Sequence, residues 1–387
     1  MTAFAARLAV VFTLSTAAGA AARPDADPVY DGKTAAAWAD TLQNDPSPRK
    51  RALAAAALGG VWADYRHPPA LVHLGRALRG DISPAVRAQC ATAIAALKPA
   101  DARAVENDLV SALKDEKDAR VRKELAAALG RFPDVAKKAV VPLAGVLKDA
   151  DPAARVAAAD ALAKAGADAK PAAADLTPLL DDADKAVRQA AAFALGRISP
   201  DNPSFVAAAL VKRFGAEKEA DVRREALVSL KLLGDQSGPV VAAFAAALTD
   251  PDGETQAVAV RALGTFGADA KPAAEALFDL AAAGRDKDLR VAAARAFGSA
   301  LGPALKGRVK DMIRLMEADP DFEVRVALVE EIAALGNDIK DDKDAMAALR
   351  KRLSDPQVKV REAAAAAIRR VEKKPEKGQD KPPAPKP

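Results

Sequence analysis

Histidine is the side chain that most often carries acid–base and metal chemistry near neutral pH, and this chain contains only two, His67 and His73. They flank the dipeptide Pro68-Pro69, and no carboxylate–histidine pattern recurs along the sequence. A zinc site needs three or four ligands, and these two histidines have no further ligands at a suitable spacing. The sequence therefore predicts no metal site.

The chain also offers no nucleophile with an activating partner. Cys90 is the single cysteine, so no intrachain disulfide can form, and without a base nearby we expect a buried structural thiol. There is no Gly-x-Ser-x-Gly motif and no Gly-x-Gly-x-x-Gly motif, and Gly59-Gly60 is expected at a helix end. We therefore expect no catalytic residues, no enzyme activity and no cofactor.

All the tryptophans and tyrosines lie near the N-terminal end, at Tyr30, Trp38, Trp62 and Tyr65. Large rings at one end of a repeat array can seal a core that has no neighbour. The same residue types are also common anchors of protein interfaces. We favour the first interpretation and keep the second as an alternative.

An internal repeat must position these residues. The segment from Gly166 to Leu176 recurs almost unchanged from Gly267 to Leu277, and a conserved register position recurs every 33–36 residues. We call its occupants the register residues. They are Arg51, Arg87, Arg122, Arg155, Arg188, Arg223, Gln256, Arg290, Arg325 and Arg361. A period in this range is typical of a solenoid built from stacked units.

Each unit is predicted to be two helices, with no strands. A capping aspartate such as Asp184 begins the second helix, and apolar residues follow at helical spacing. Gly196 is expected to weaken the end of this helix. Pro171 and Pro272 are expected in the first turn of a first helix, where proline loses no hydrogen bond. Thr34 is expected to cap the first helix of the first unit.

Ten units over residues 34–372 each contain a version of the pattern Asp-Pro-x-x-x-Val-Arg followed by Ala-Leu-Gly. This pattern resembles the HEAT repeat, in particular the short bacterial type also found in phycobilin lyases. The resemblance implies an all-α, right-handed α-solenoid of about ten two-helix repeats that mostly mediates protein contacts. It also implies Asp–Arg ladders between repeats. Asp184 with Arg188 and Asp118 with Arg122 fit this role, and Gln256 would interrupt the ladder.

Enzymes of HEAT-like architecture leave no matching signature here. Deoxyhypusine hydroxylases need repeated His-Glu pairs, which the sequence lacks, and no distinct tetrapyrrole pocket of the lyase type is evident. Alkyl-purine DNA glycosylases line a basic groove with tryptophans, whereas this chain has only Trp38 and Trp62. Nucleic acid is therefore an unlikely partner on this reasoning, and a lyase-like or enzyme-accessory role remains an alternative.

The two ends differ from the repeats in composition. Residues 1–22 read as a signal peptide, with Arg7 ahead of a short apolar run and small residues after it. Residues 23–33 are expected to be an extended segment, and residues 373–387 a disordered tail rich in proline and lysine. We expect export to the periplasm or the extracellular space, with no transmembrane span after cleavage.

The net charge of +5 belongs mostly to the tail. Loss of Arg7 leaves +4, and the tail holds five lysines against Glu376 and Asp380, so the repeats are near +1. The sequence pI of about 9.1 is therefore no evidence that the repeats bind nucleic acid.

A candidate binding face follows from the family resemblance, in which the second helices line the concave side. Positions one, five and nine residues after each register residue then face outward, and we call them the stripe. Over repeats three to eight the stripe has seven basic residues and one acidic residue. Its candidate binding residues are Lys123, Arg131, Lys164, Phe193, Arg197, Arg224, Val228, Leu232, Arg261 and Arg295.

We interpret the stripe as a basic groove with a central apolar patch at Phe193, Val228 and Leu232. The expected function is a non-catalytic interaction scaffold that holds an acidic peptide or protein segment. The alternative is a binder of an anionic polymer, either nucleic acid or envelope glycan.

Overall fold

The computed structural model describes residues 27–198 and 200–372. The predicted signal peptide at residues 1–22 and the predicted tail at residues 373–387 lie outside the described residues. Within the described ranges, no helix is both long and apolar enough to cross a membrane.

Nearly all the described residues belong to ten helical hairpins, which confirms the all-α solenoid. The α-helices in chain order are α1 (Ala35–Asn44), α2 (Pro48–Tyr65), α3 (Pro68–Gly80), α4 (Pro84–Ala95), α5 (Glu106–Asp115), α6 (Ala119–Arg131), α7 (Pro133–Ala136), α8 (Val140–Val146), α9 (Pro152–Ala165), α10 (Ala173–Leu176), α11 (Lys185–Arg197), α12 (Pro203–Ala216), α13 (Ala220–Leu233), α14 (Gly238–Ala247), α15 (Gly253–Phe266), α16 (Ala274–Ala283), α17 (Lys287–Leu301), α18 (Val309–Ala318), α19 (Phe322–Ala334), α20 (Lys343–Arg352) and α21 (Val358–Glu372).

Short 3₁₀ turns join or extend several first helices. They span Pro99–Val105, Lys137–Ala139, Gly166–Ala172, Thr177–Asp181, Gly267–Ala273, Gly302–Arg308 and Gly336–Ile339. The second helices of the ten hairpins are α2, α4, α6, α9, α11, α13, α15, α17, α19 and α21.

Carboxylates begin several second helices, as predicted. The side chain of Asp184 accepts hydrogen bonds from the backbone N–H groups of Ala186 and Val187. Asp118 does the same at the start of α6. Each cap satisfies N–H groups that have no partner within the helix, so the Asp-containing turn fixes where the second helix starts.

The near-duplicate segments adopt the same conformation. Gly166 and Gly267 have φ values of +63° and +56°, a region that glycine enters without a steric penalty, and each opens a 3₁₀ turn. The prediction that Pro171 and Pro272 lie in the first turn of an α-helix is wrong. Because the glycine redirects the chain early, both prolines fall inside the 3₁₀ turn before the α-helix begins.

Gly196 lies near the end of α11, as predicted, and a weakening of the helix there stays a prediction. A Cβ at Gly196 would come within 2.6 Å of the Ser229 Oγ atom and 2.8 Å of the Ser229 Cα atom in α13. The prediction that Gly59 and Gly60 lie at a helix end is wrong, because both lie within α2. Gly196 therefore allows two neighbouring second helices to approach closely.

The buried apolar residues form one continuous core along the solenoid, built mainly of alanine, leucine and valine. Neighbouring second helices approach each other more closely than neighbouring first helices do. In a curved stack the layer with the shorter spacing lies on the inside. The second helices are therefore the inner, concave layer, and the stripe lies on that layer.

One departure from the all-helical prediction occurs at the N-terminal end of the described residues. Strands β1 (Val29–Tyr30) and β2 (Lys33–Thr34) pair antiparallel. Asp31 and Gly32 between them have positive φ values of 48° and 76°, which suits an Asp-Gly hairpin turn. The Thr34 hydroxyl accepts from the Ala37 N–H at 3.2 Å, so the predicted cap of α1 is confirmed.

Candidate interaction groove

A ladder of ion pairs joins successive hairpins near the N-terminal ends of the second helices. The Nε atom of Arg188 donates to the Glu217 carboxylate at 2.8 Å, and the Nη1 atom donates to the Asp182 carbonyl oxygen at 3.0 Å. Each such arginine thus ties its own turn to the next hairpin. The same pairing joins Arg51 to Asp81, Arg87 to Glu116, Arg122 to Asp149, Arg155 to Asp182, Arg223 to Asp250, Arg290 to Asp319 and Arg325 to Asp355.

The ladder exists, but its predicted acidic partners are wrong. Asp184 and Asp118 are helix caps, whereas Arg188 and Arg122 bind carboxylates of the following hairpin. The true partner stands six residues before the next register residue. A recurring acid at that position is visible in the sequence and was the signal that could have identified it.

Several of the ladder carboxylates have lowered pKa values. Burial alone would raise the pKa of Glu217, but hydrogen bonds from Arg188 and from the Glu219 N–H outweigh burial and lower the pKa to about 2. The pKa values of Asp81 and Glu116 are also lowered, because the arginine and backbone hydrogen bonds again outweigh burial. A carboxylate that stays charged and fully engaged is suited to a structural role rather than to acid–base catalysis.

The predicted interruption of the ladder at Gln256 is confirmed, and it involves two residues. Position 284, where the carboxylate partner of residue 256 would stand, is occupied by Gly284. The Gln256 Nε2 atom still donates to the Asp250 carbonyl oxygen at 2.8 Å. We call each arginine–carboxylate pair of the ladder a rung. The rung between α15 and α17 therefore has neither of its two charged side chains, and no buried ion is left unpaired there.

The structure places all ten candidate binding residues on second helices. They lie on α6, α9, α11, α13, α15 and α17, and each is exposed or half-buried. The helical spacing used to select them therefore brings them to one face of the inner layer. Their role in binding remains a prediction.

Acidic neighbours compensate several of the seven basic residues. Lys123 lies 3.0 Å from Glu124, Arg197 lies 3.4 Å from Glu225, and Arg295 lies 2.8 Å from Glu330. Arg224 pairs with Asp221 at 2.8 Å and with Asp252 at 3.7 Å. The net charge counted along the stripe alone therefore overstates the positive potential of the groove.

Three basic residues of the stripe form no ion pair with another described residue. Arg131, Lys164 and Arg261 are exposed and have no acidic group within 4.0 Å in the part of the chain that the structure describes. Asp160 lies one helical turn before Lys164, and burial raises the pKa of its carboxyl, with Lys164 acting against this effect. These three cations lie on either side of the apolar centre.

The apolar centre combines a ring, a guanidinium and two aliphatic side chains. The Arg197 guanidinium stands over the Phe193 ring at 3.5 Å from its centroid and also donates to the Phe193 carbonyl oxygen. Phe193 and Val228 are half-buried and pack on the core, whereas Leu232 is 54% exposed. An exposed leucine beside a stacked arginine and ring is a suitable anchor point for a partner.

A half-buried carboxyl on α19, that of Glu331, was missed by the sequence reasoning. Glu331 packs against Gly298 of α17, where a Cβ would stand 2.6 Å from the Glu331 Cδ atom. Burial raises the pKa of Glu331 to about 7, with Arg295 acting against it and Glu330 with it. Burial also raises the pKa of Glu225, against the attraction of Arg197. Only the opposing glycine hints at Glu331 in the sequence.

The other residues capable of chemistry are not brought together. No cluster of three or more metal-ligating side chains occurs among the described residues. The His67 Nε2 atom lies 3.8 Å from Asp27, and burial followed by the charge of Arg76 lowers the pKa of His73. Cys90 is buried, and burial raises the pKa of its thiol to about 12, as a structural thiol requires.

The aromatic residues of the first hairpin make contacts within the chain. The Trp38 Nε1 atom donates to the Tyr30 carbonyl oxygen at 2.7 Å, and the Tyr65 hydroxyl donates to the Val29 carbonyl oxygen at 2.9 Å. The Tyr30 ring packs onto Gly60, where a Cβ would lie 2.6 Å from the ring atom Cε2. These contacts support the end-seal interpretation over the docking alternative.

The fold and the groove define a helical repeat protein with an open inner surface. The family model described as HEAT repeats matches residues 106–196, 140–231 and 207–298. The chain belongs to the HEAT-repeat family. The narrower resemblance to the repeats of phycobilin lyases remains a prediction.

Solved structures share the fold at low sequence identity. One is the crystal structure of an engineered protein of the Northeast Structural Genomics Consortium, with 22% identity, a TM-score of 0.58, and coverage of 88% of this chain and 99% of the other. Another is importin beta crystallised in an ammonium sulfate condition, with 14% identity, a TM-score of 0.55 and coverage of 87% of this chain. The chain spans 50% of that importin beta chain. No curated protein matches by sequence.

Proposed function

We propose that this protein is a non-catalytic interaction scaffold whose concave groove holds an acidic peptide or protein segment. The observation that carries the proposal is the arrangement of Arg131, Lys164 and Arg261, three cations without an ion pair among the described residues, around the apolar centre formed by Phe193, Val228 and Leu232. Cations without a close acidic partner in the described part of the chain are available to a binding partner.

The apolar centre favours a peptide over an anionic polymer. Nucleic acid and charged glycan are recognised mainly through their repeated charges. A surface for such a polymer benefits from cations along its whole length, whereas here the middle of the stripe is apolar and its arginines are already paired. Binding of a polymer in preference to a peptide is therefore the outcome that would contradict this proposal.

The first test measures binding of a fluorescein-labelled peptide of glutamates and leucines by fluorescence anisotropy. We expect Arg261→Glu to weaken binding by about threefold to tenfold, because an attraction becomes a repulsion. The effect should shrink at high salt, which screens exposed charges. Lys271→Glu is the matched control, because Lys271 is exposed in the 3₁₀ turn that follows the same helix and lies outside the stripe.

A second measurement distinguishes the polymer alternative. A labelled single-stranded oligonucleotide and a labelled sulfated glycan are titrated under the same conditions as the peptide. Retention of either with equal or greater affinity than the peptide, and equal losses for Arg261→Glu and Lys271→Glu, would reject a peptide groove.

We also propose that the scaffold works outside the cytoplasm. The support is the signal-like composition of residues 1–22, with Arg7 followed by an apolar run. A fusion of residues 1–40 to a reporter enzyme that needs disulfides for activity should be active, since disulfides form outside the cytoplasm. Activity that persists after deletion of residues 2–22 would contradict export by this segment.

A further inference from the structure

We infer that the groove takes one extended segment with apolar side chains at its centre and carboxylates on both sides, crossing the second helices of hairpins three to seven. This inference rests on the proposed function and specifies the order of groups in the partner. The order follows from where along the groove the charges are compensated and where they are not.

The centre of the groove offers apolar contact without free charge. Arg197 is engaged by the Phe193 ring, by the Phe193 carbonyl oxygen and by Glu225. Arg224 is engaged by two carboxylates from α13 and the turn before α15. A carboxylate placed here would have to displace an existing partner, whereas an apolar side chain would cover Leu232 at no electrostatic cost.

On the two sides of the apolar centre, the groove offers cations that form no ion pair with another described residue. Arg131 and Lys164 end α6 and α9 on the side of the earlier hairpins, and Arg261 stands on α15 on the side of the later ones. All three are exposed. Carboxylates on both flanks of an apolar core would therefore gain attraction that central carboxylates would not.

The groove also has a limit toward the C-terminal end. Beyond Arg295, whose charge is shared with Glu330, the stripe positions of the last two hairpins carry Glu330, Glu362 and Arg370, all exposed. These positions offer no excess of positive charge to a carboxylate. We therefore place the end of the acidic segment near α15.

The distance from Arg131 to Arg261 along the groove favours an extended segment. From Arg131 to Arg261 there are four steps between neighbouring second helices, each about 9 Å, or roughly 36 Å in all. An extended chain covers this with about eleven residues, while a helix would need about twenty-four. A helix of that length needs a long apolar stripe, whereas Leu232 on α13 is the one large apolar stripe residue that is exposed among the described residues.

The test uses three labelled eleven-residue peptides and the full chain. The first has four acidic residues, then Leu-Phe-Leu, then four acidic residues. The second has the same composition with all the acidic residues at one end. The third replaces the three apolar residues by serine. We expect the first peptide to bind at least about tenfold more tightly than either of the others.

Two variants locate the apolar contact. Leu232→Ser should weaken binding of the first peptide by about fivefold to tenfold and leave binding of the third peptide unchanged. Phe205→Ser is the matched control, because Phe205 is 59% exposed on the first helix α12. Circular dichroism spectra of both variants should match that of the parent protein, since both side chains are largely in solvent.

The outcomes separate the inference from the proposed function. Equal affinity for the first and second peptides, with Arg261→Glu still weakening both, would overturn the order inferred here and leave an acidic-peptide groove standing. Equal affinity for the first and third peptides would contradict the inferred apolar contact at the centre of the groove. Failure of all three peptides to bind would reject the groove and the inference together.

Discussion

Gln256 and Gly284 stand at the one junction between described hairpins where an arginine does not pair with a carboxylate. The substitution of the arginine and the absence of its acid occur together at the same rung. Removing one partner of a buried pair leaves an uncompensated charge, whereas removing both can be nearly neutral. At this junction neither charge of the ion pair is present, so no uncompensated buried charge remains.

This coupling predicts the result of a double-mutant cycle at an intact rung. Arg188→Gln alone leaves Glu217 buried without its partner and should lower the free energy of unfolding by roughly 2–4 kcal/mol. Arg188→Gln with Glu217→Gln should lower it by less than the sum of the two single changes. Urea denaturation followed by circular dichroism measures all four proteins, and strictly additive losses would contradict a ladder role.

Low pH should lower the free energy of unfolding of the solenoid by protonating a ladder carboxylate, that of Glu217. The pKa of Glu217 in the folded protein is about 2, below the ordinary value of 4.5. Its contribution to stability is therefore present above pH 4.5 and is lost as the pH falls toward 2. The unfolding free energy of the parent should fall over this window, and that of Glu217→Gln should fall less steeply. Identical pH profiles for the two proteins would argue against this assignment.

Glu331 should have the opposite effect on stability. Its folded-state pKa of about 7 lies above the ordinary value of 4.5, so its contribution is present below pH 4.5 and is lost as the pH rises through 7. Glu331→Gln should therefore stabilise the protein at pH 8 relative to the parent and flatten the decline between pH 5 and 8. A carbon-detected NMR titration that places the Glu331 carboxyl near pH 4.5 would disprove the buried environment.

Two glycines in equivalent helix positions should respond differently to alanine. At Gly196 a Cβ would come within 2.8 Å of the Ser229 Cα atom, whereas at Gly264 the first neighbour, the Ala296 Cβ atom, is 3.6 Å away. Gly196→Ala should cost roughly 1–3 kcal/mol because the backbones must separate. Gly264→Ala should be neutral or stabilising by up to about 1 kcal/mol, because alanine favours the helix.

Thermal unfolding of the two variants under one condition checks this pair. A lower melting temperature for Gly196→Ala and an equal or higher one for Gly264→Ala are expected. Equal shifts in the same direction would mean that helix propensity, rather than the approach of α11 to α13, decides the effect.

The hairpin architecture was predictable because its information is local. The recurring Asp-Pro turn and the register residues fall every 33–36 residues, and helical spacing within each unit separates a buried face from an exposed one. The same reasoning placed Thr34 as the cap of α1 and the ten stripe residues on the exposed face. The same reasoning missed the two strands in which Tyr30 pairs with Lys33 across a tight turn. Each strand has only two residues, which is too few for a strand pattern to be recognisable.

The contacts between hairpins were decided only by the tertiary structure. Arg188 and Glu217 are 29 residues apart, and Gly196 faces Ser229 across two separate helices. Such contacts depend on how one hairpin is rotated against the next, which no local spacing specifies. The sequence alone determined a solenoid with an exposed basic stripe, and the packing of the hairpins decided which of those cations remain available to a partner.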